Sequence, residues 1–131
     1  MKLTAIYIGV LSLVIGLSSC EGNTDRTRQV RNNTSGLIQV KVSGIDVLDY
    51  NTPVYVGQTG VFSIQSQRGG SSFVVDPSMG IAEMTITNES GDTCTKEFTI
   101  QENWDIYVKE RRRIPSDWQH EYTFTVNEDD F

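Results

Sequence analysis

Ile81-Ala82-Glu83-Met84-Thr85-Ile86-Thr87-Asn88, the cluster Glu89-Ser90-Gly91-Asp92, and Thr93-Cys94-Thr95-Lys96-Glu97-Phe98-Thr99-Ile100-Gln101 carry the pattern that decides the fold. Ala82, Met84 and Ile86 share one parity, opposite Glu83, Thr85 and Thr87. After the turn, Cys94, Lys96, Phe98 and Ile100 oppose Thr95, Glu97 and Thr99. Side chains of a strand point alternately to its two faces, so a period of two predicts a hairpin with one buried face. The glycine-containing cluster between the two runs supplies the turn.

The same period extends outward from this stretch. Leu37–Val42 sets Ile38, Val40 and Val42 against Gln39 and Lys41. Gly60–Gln67 sets Phe62 and Ile64 against Ser63 and Gln65. Trp104, Ile106 and Val108 form another face, as do Tyr122, Phe124 and Val126. Thr27–Arg31 has little apolar content and reads as an edge strand. Val54–Val56 and Ser72–Val75 read as short strands, with Pro53 limiting pairing before the first. No stretch after residue 20 keeps a helical period over three turns. Strands spaced about ten residues apart predict an all-β fold, a single antiparallel β-sandwich of immunoglobulin-like architecture, with a small barrel as the alternative. The Cys…Trp…Cys core of antibody domains is absent, so that likeness is one of architecture. The expected core is Ile38, Val40, Phe62, Ile64, Met84, Ile86, Phe98, Ile100, Ile106, Phe124 and Val126.

The first twenty residues differ in kind. Lys2 is followed by an uncharged apolar run from Ala5 to Leu17. Thirteen residues of helix rise only about 20 Å, short of a bilayer core of about 30 Å. The run therefore reads as the apolar part of a cleaved signal peptide. Leu17-Ser18-Ser19-Cys20 closes it and resembles the lipobox of bacterial lipoproteins. That resemblance implies cleavage after Ser19, a diacylglycerol on the Cys20 thiol and acylation of the new amino group. The membrane would then be a partner through lipid on Cys20. Together with one strand-rich domain and the closing run Tyr122–Phe131, the lipobox makes the chain resemble small lipoproteins of the Bacteroidetes type, a likeness that names no activity. It implies residence in the bacterial cell envelope, with the outer membrane favoured because residue 21 is not aspartate. Gly22 and Asn23 break the acidic run that directs such proteins to the cell surface, so no face is selected. The expected organisation is a signal peptide at 1–19, a lipid-anchored tether at 20–26 and a β-sandwich at 27–131.

Composition narrows the function classes. The 131-residue chain has a formal charge of −6. Removing residues 1–19 takes away Lys2 alone among charged side chains, leaving ten basic against seventeen acidic and a charge of −7. An acidic body of this kind repels polyanions, so nucleic acid is not an expected partner. With Cys20 lipidated, Cys94 has no partner, and the fold has to be held by its core.

Chemistry-bearing residues are few. His120 shares the parity of Tyr122 and Phe124 and reads as a structural histidine. Cys94 lies on an apolar face and reads as an inert thiol, because nothing places the one imidazole beside it. Glu128-Asp129-Asp130 offers oxygens to calcium, but no Asp-X-Asp-X-Asp-Gly loop accompanies it, and it reads as a frayed tail. No catalytic residue, metal site or cofactor is expected. Arg111-Arg112-Arg113 is the one basic cluster, and Tyr107 and Trp118 flank it. Guanidinium forks suit anionic oxygens and exposed aromatic rings stack on sugars. These five residues form the candidate ligand site. Two readings follow: a non-enzymatic structural or protein-contact role, or an envelope-glycan binder using Tyr107, Trp118 and the arginine loop. A contiguous aromatic patch favours the second. A flat apolar patch elsewhere favours the first.

Overall fold

The computed structural model describes residues 21–131 except Asp46 and Leu48, so the signal peptide and Cys20 lie outside the described residues. Seven strands run in chain order: β1 Asn23–Asn33, β2 Ile38–Gly44, β3 Tyr50–Val54, β4 Thr59–Arg68, β5 Ile81–Asn88, β6 Trp104–Arg112 and β7 Asp117–Asn127. They form a four-stranded sheet in the order β4-β1-β7-β6 and a three-stranded sheet in the order β3-β2-β5. The fold is a β-sandwich. Val30, Phe62, Trp104, Tyr122, Phe124 and Val126 of the first sheet meet Ile38, Val40, Val42, Val54 and Ile86 of the second in one core. The sandwich is not wholly antiparallel, because β1 runs parallel to β7. The order also differs from that of an immunoglobulin constant domain, where the first strand lies beside the second. Architecture is shared and topology is not.

β1 departs most from expectation. It begins at Asn23, inside the expected tether, and it is a central strand paired with both β4 and β7. Its inward side chains are Thr24, Arg26, Arg28, Val30 and Asn32, so its inner face is mostly polar and gives no apolar signal. Most of its buried polar groups are instead hydrogen-bonded, as burial of polar atoms requires, with the Arg26 Nε left unpaired. Asn32 donates to the Gly36 and Val54 carbonyls, both at 2.8 Å, and accepts from the Thr34 backbone N–H at 2.9 Å and hydroxyl at 2.7 Å. It thereby ties β1 to β3 of the other sheet. Gly22 is buried before the strand. A Cβ there would stand 1.7 Å from the Ser116 carbonyl oxygen, a gap that only glycine fits.

Of the expected core, Ile38, Val40, Phe62, Ile86, Phe124 and Val126 are buried, and Met84, Phe98 and Ile106 are partly buried against them. Ile64 is not: it is 71 % exposed. The cause is a bulge. Arg28 pairs with Ser63 but Gln29 pairs with Val61, so Phe62 is an extra residue and parity flips after it. Phe62 and Ser63 both turn inward, and Ile64 turns to solvent.

The second arm of the expected hairpin is also absent. Thr93 bridges Thr87, and the Cys94 N–H donates to the Ile86 carbonyl at 2.8 Å. The chain then leaves β5 and crosses to the other sheet. There Lys96 donates to the Thr125 carbonyl at 2.7 Å and lies over the Phe124 ring, while the Trp104 indole donates to the Phe98 carbonyl at 2.7 Å. Burial still alternates from Cys94 to Phe98, but the chain turns at Phe98–Thr99 and Ile100 is exposed. Ser72–Val75 is likewise a strap with no ladder, laid over the inner face of the first sheet.

Candidate functional site

The residues expected to form one site are divided by the sheet. Cα partners in an antiparallel pair have side chains on the same face. Trp104↔Phe124, Ile106↔Tyr122, Val108↔His120 and Glu110↔Trp118 therefore line the core side, and Tyr107↔Glu121 the outer side. Tyr107 is 55 % exposed on that outer face. Trp118 is half-buried on the other, with its indole N–H bonded to the Ser116 hydroxyl at 2.8 Å. Tyr107 and Trp118 form no common aromatic platform.

The arginines are partly engaged. Register shifts between Glu110 and Arg112, and the extra residue, Arg111, reaches the Asp25 carboxylate of β1. Arg112 pairs with Asp117 at 3.0 Å. Arg113 is exposed, with no ion pair among the described residues. Hydrogen bonds from the Ser66 hydroxyl and then the Arg111 guanidinium hold the Asp25 carboxyl below its usual value.

His120 is fully buried. Its Nε2 faces the Ser71 carbonyl oxygen at 2.7 Å, so Nε2–H donates to it, and Nδ1 lies 3.2 Å from the Tyr122 hydroxyl. Nε2 is committed to the segment that follows β4 and Nδ1 to Tyr122 on the same strand as the histidine. Cys94 is half-buried, and that burial pushes its thiol up, away from the reactive thiolate. The acidic end is docked instead of frayed. The Asp130 carboxylate accepts from the Asn127 N–H at 2.7 Å, its carbonyl accepts from the Thr95 N–H at 2.6 Å, and Glu128 caps the Ser35 N–H. That capping, from the Ser35 side first, lowers the Glu128 carboxyl. Among the described residues, no group of three His, Cys, Asp or Glu side chains could hold a metal.

Exposed apolar side chains also line a groove at the opposite edge. β3 and β4 diverge from the turn Tyr55–Gln58 into different sheets, leaving a groove of about 480 Å³ lined by Tyr50, Pro53, Val54, Tyr55, Gly60 and Val61. Tyr55 is 65 % and Val61 42 % exposed, and Val56 and Ile64 of the same hairpin are exposed as well. The sequence did carry a signal for this surface. Tyr50–Gln67 is a run of 18 residues without a charge, the longest after residue 20. A second cleft of about 290 Å³ on the outer face of the three-stranded sheet sets Lys41, Asp49, Asn51, Glu83 and Thr85 beside Val42 and Tyr50.

Among the described residues no helix is long and apolar enough to cross a membrane. No protein-family model, curated protein or solved structure matches this chain.

Proposed function

We propose that this protein is a lipid-anchored component of the bacterial cell envelope, favoured at the outer membrane, whose role is non-enzymatic contact with other protein. One observation carries the reading. Tyr55 and Val61 are exposed on one groove at the β3–β4 edge, three strands across from β6, which carries Tyr107, Arg111 and Arg112. Exposed apolar side chains gathered at a groove are one mark of a protein-contact site. Anchoring rests on the lipobox and Cys20. With β1 starting at Asn23, only Glu21 and Gly22 separate the lipid from the sheet, a reach of about 10 Å, so the domain sits against the bilayer surface.

The glycan alternative loses the shared platform of Tyr107 and Trp118, and it keeps Arg113 as its one unpaired arginine. A photoreactive side chain at Tyr55 tests both readings in intact cells. Protein adducts are expected in the membrane fraction, and Cys20→Ala should move protein and adducts into the soluble fraction. Adducts to polysaccharide alone, or none at all, would defeat the protein-contact reading. A Cys20→Ala protein that stays membrane-bound would defeat the anchor.

A further inference from the structure

We infer that the end of the sandwich where β1 begins is a membrane-contact surface. Ile114 enters the interface of an anionic phospholipid bilayer there, and Arg68 and Arg113 meet its phosphates. This rests on reading Cys20 as the lipid anchor, and it names the surface which that anchor holds down. The strand register fixes what gathers at this end. Asn23, the first residue of β1, pairs with Arg68, the last of β4, and Thr24 pairs with Trp118 of β7. The Gly22 carbonyl accepts from the Gly69 N–H at 2.7 Å, and the Asn23 N–H donates to the Asp117 carboxylate at 2.8 Å. The chain just past β4 and the β6–β7 turn, Arg113–Ser116, therefore flank the point where the residues after Cys20 enter the fold. Ile114 is 83 % exposed in that turn.

Charge selects the occupant. Residues 21–25, 66–70 and 111–117 hold four arginines against three carboxylates, whereas the rest of the chain after Ser19 holds six basic side chains against fourteen acidic ones. Arg111 is paired with Asp25 and Arg112 with Asp117, while Arg68 and Arg113 are exposed and have no ion pair among the described residues. The opposite end carries Glu89, Glu128, Asp129 and Asp130. There Glu128 accepts from the Ser35 N–H and Glu89 from the Leu37 N–H, just past the end of β1. Ten steps along β1 set the two ends about 33 Å apart. An anionic bilayer thus attracts the first end and repels the second, and the field falls off over about 10 Å. Guanidinium forks suit phosphate oxygens, and the long arginine stems leave an isoleucine beside them free to reach deeper. One isoleucine and two arginines are too little to hold a soluble protein on a membrane. With the anchor so close to β1 they need only decide which surface faces down. The sandwich then stands on this end. The turn carrying Tyr55, bonded to Asn32 at the other end of β1, faces away from the bilayer and presents its groove to protein.

The test uses the full, lipid-bearing protein in vesicles of phosphatidylethanolamine and phosphatidylglycerol, in a Cys94→Ser background. A nitroxide attached through Ile114→Cys is itself apolar and stands in for the isoleucine. It should collide more with dissolved oxygen than with a water-soluble nickel chelate, the mark of a lipid setting. The same label attached through Val56→Cys, at the other end, should show the reverse. Adding Arg68→Glu and Arg113→Glu should lower the oxygen preference at residue 114 by at least about twofold, with little change in melting temperature. Vesicles of phosphatidylcholine alone should lower it in the same way. Protein that floats with the vesicles while its label at 114 is as wet as the one at 56 would overturn the inference and leave the anchor standing. A lipid setting at 114 that ignores both the arginine replacements and the lipid charge would overturn it too, because the headgroups would then play no part. Protein that carries no lipid by mass and does not float would remove the anchor and this inference together.

Discussion

The two edges of the four-stranded sheet are built on opposite principles. β6 alternates Trp104, Ile106 and Val108 against Asp105, Tyr107, Lys109 and Arg111, so its outer face is charged and its outward register can be read from the residues alone. β4 has the same alternation in its residues but not in its structure, because the bulge at Phe62 turns Ser63 inward and Ile64 outward. A charged edge repels a neighbouring strand. β4, with Arg68 as its one charge, lacks that device. The two sides of one sheet thus differ in charge, five charged residues against one, while each carries one extra residue, Arg111 in β6 and Phe62 in β4.

The sharpest way to break the comparison is to remove what seats the bulge. Phe62 is buried, 6.4 Å from the Trp104 ring and 6.3 Å from Tyr50, and it links the two sheets. Phe62→Ala should cost about 3–5 kcal/mol in a denaturant melt, the usual loss for a buried phenylalanine. Ile64→Ala, two residues on, should cost less than about 0.5 kcal/mol, as exposed positions do. Equal losses at the two sites would mean that parity does not flip.

Arg28 comes next. Only 5 % exposed, it donates to the Ser63 hydroxyl at 3.1 Å and to the Pro77 and Met79 carbonyls at 3.2 and 2.6 Å, with its guanidinium over the Phe62 ring. It therefore joins the bulge to the strap that leads into β5. Arg28→Met keeps the stem but leaves buried carbonyls unpaired, which should cost about 2–3 kcal/mol. Hydrogen exchange should rise first in β4 and in residues 71–80. A uniform rise over the molecule would mean that Arg28 does not act through the bulge.

The smallest effect belongs to the β6 side. The Asp25 carboxyl is held low by Ser66 and Arg111, so its contribution is fully present above the unfolded value of about 4 and is lost as pH falls through the lowered folded value. The Arg111–Asp25 pair is partly exposed, so Asp25→Asn should cost at most about 1 kcal/mol at neutral pH. The difference between mutant and wild type should vanish in strong acid and shrink with salt. A difference that persists at pH 2 would place the role of Asp25 elsewhere.

Legibility followed locality. Ile38, Val40, Ile86, Phe124 and Val126 were readable as core because their strands are regular and their alternation is unbroken. The inner face of β1 was hidden, because Thr24, Arg28 and Asn32 are buried by hydrogen bonds and not by apolarity. The pairing of Tyr107 with Trp118 as one site came from nearness in the chain. It failed because residues of opposite parity on paired strands face opposite ways. The groove between β3 and β4 was visible only as a missing charge across Tyr50–Gln67, a pattern that marks an unprotected stretch without saying whether it is buried or exposed.

What the sequence determined by itself is the all-β class and the positions of most strands, since side-chain alternation and turn chemistry act over a few residues. Strand order, the parallel pairing of β1 with β7 and the bulge in β4 were decided by the tertiary structure. The Gln29 amide, for example, bonds the Thr123 hydroxyl at 2.9 Å across 94 residues of chain. A partner so distant leaves no local trace, because which backbone groups meet depends on how both sheets close over one core.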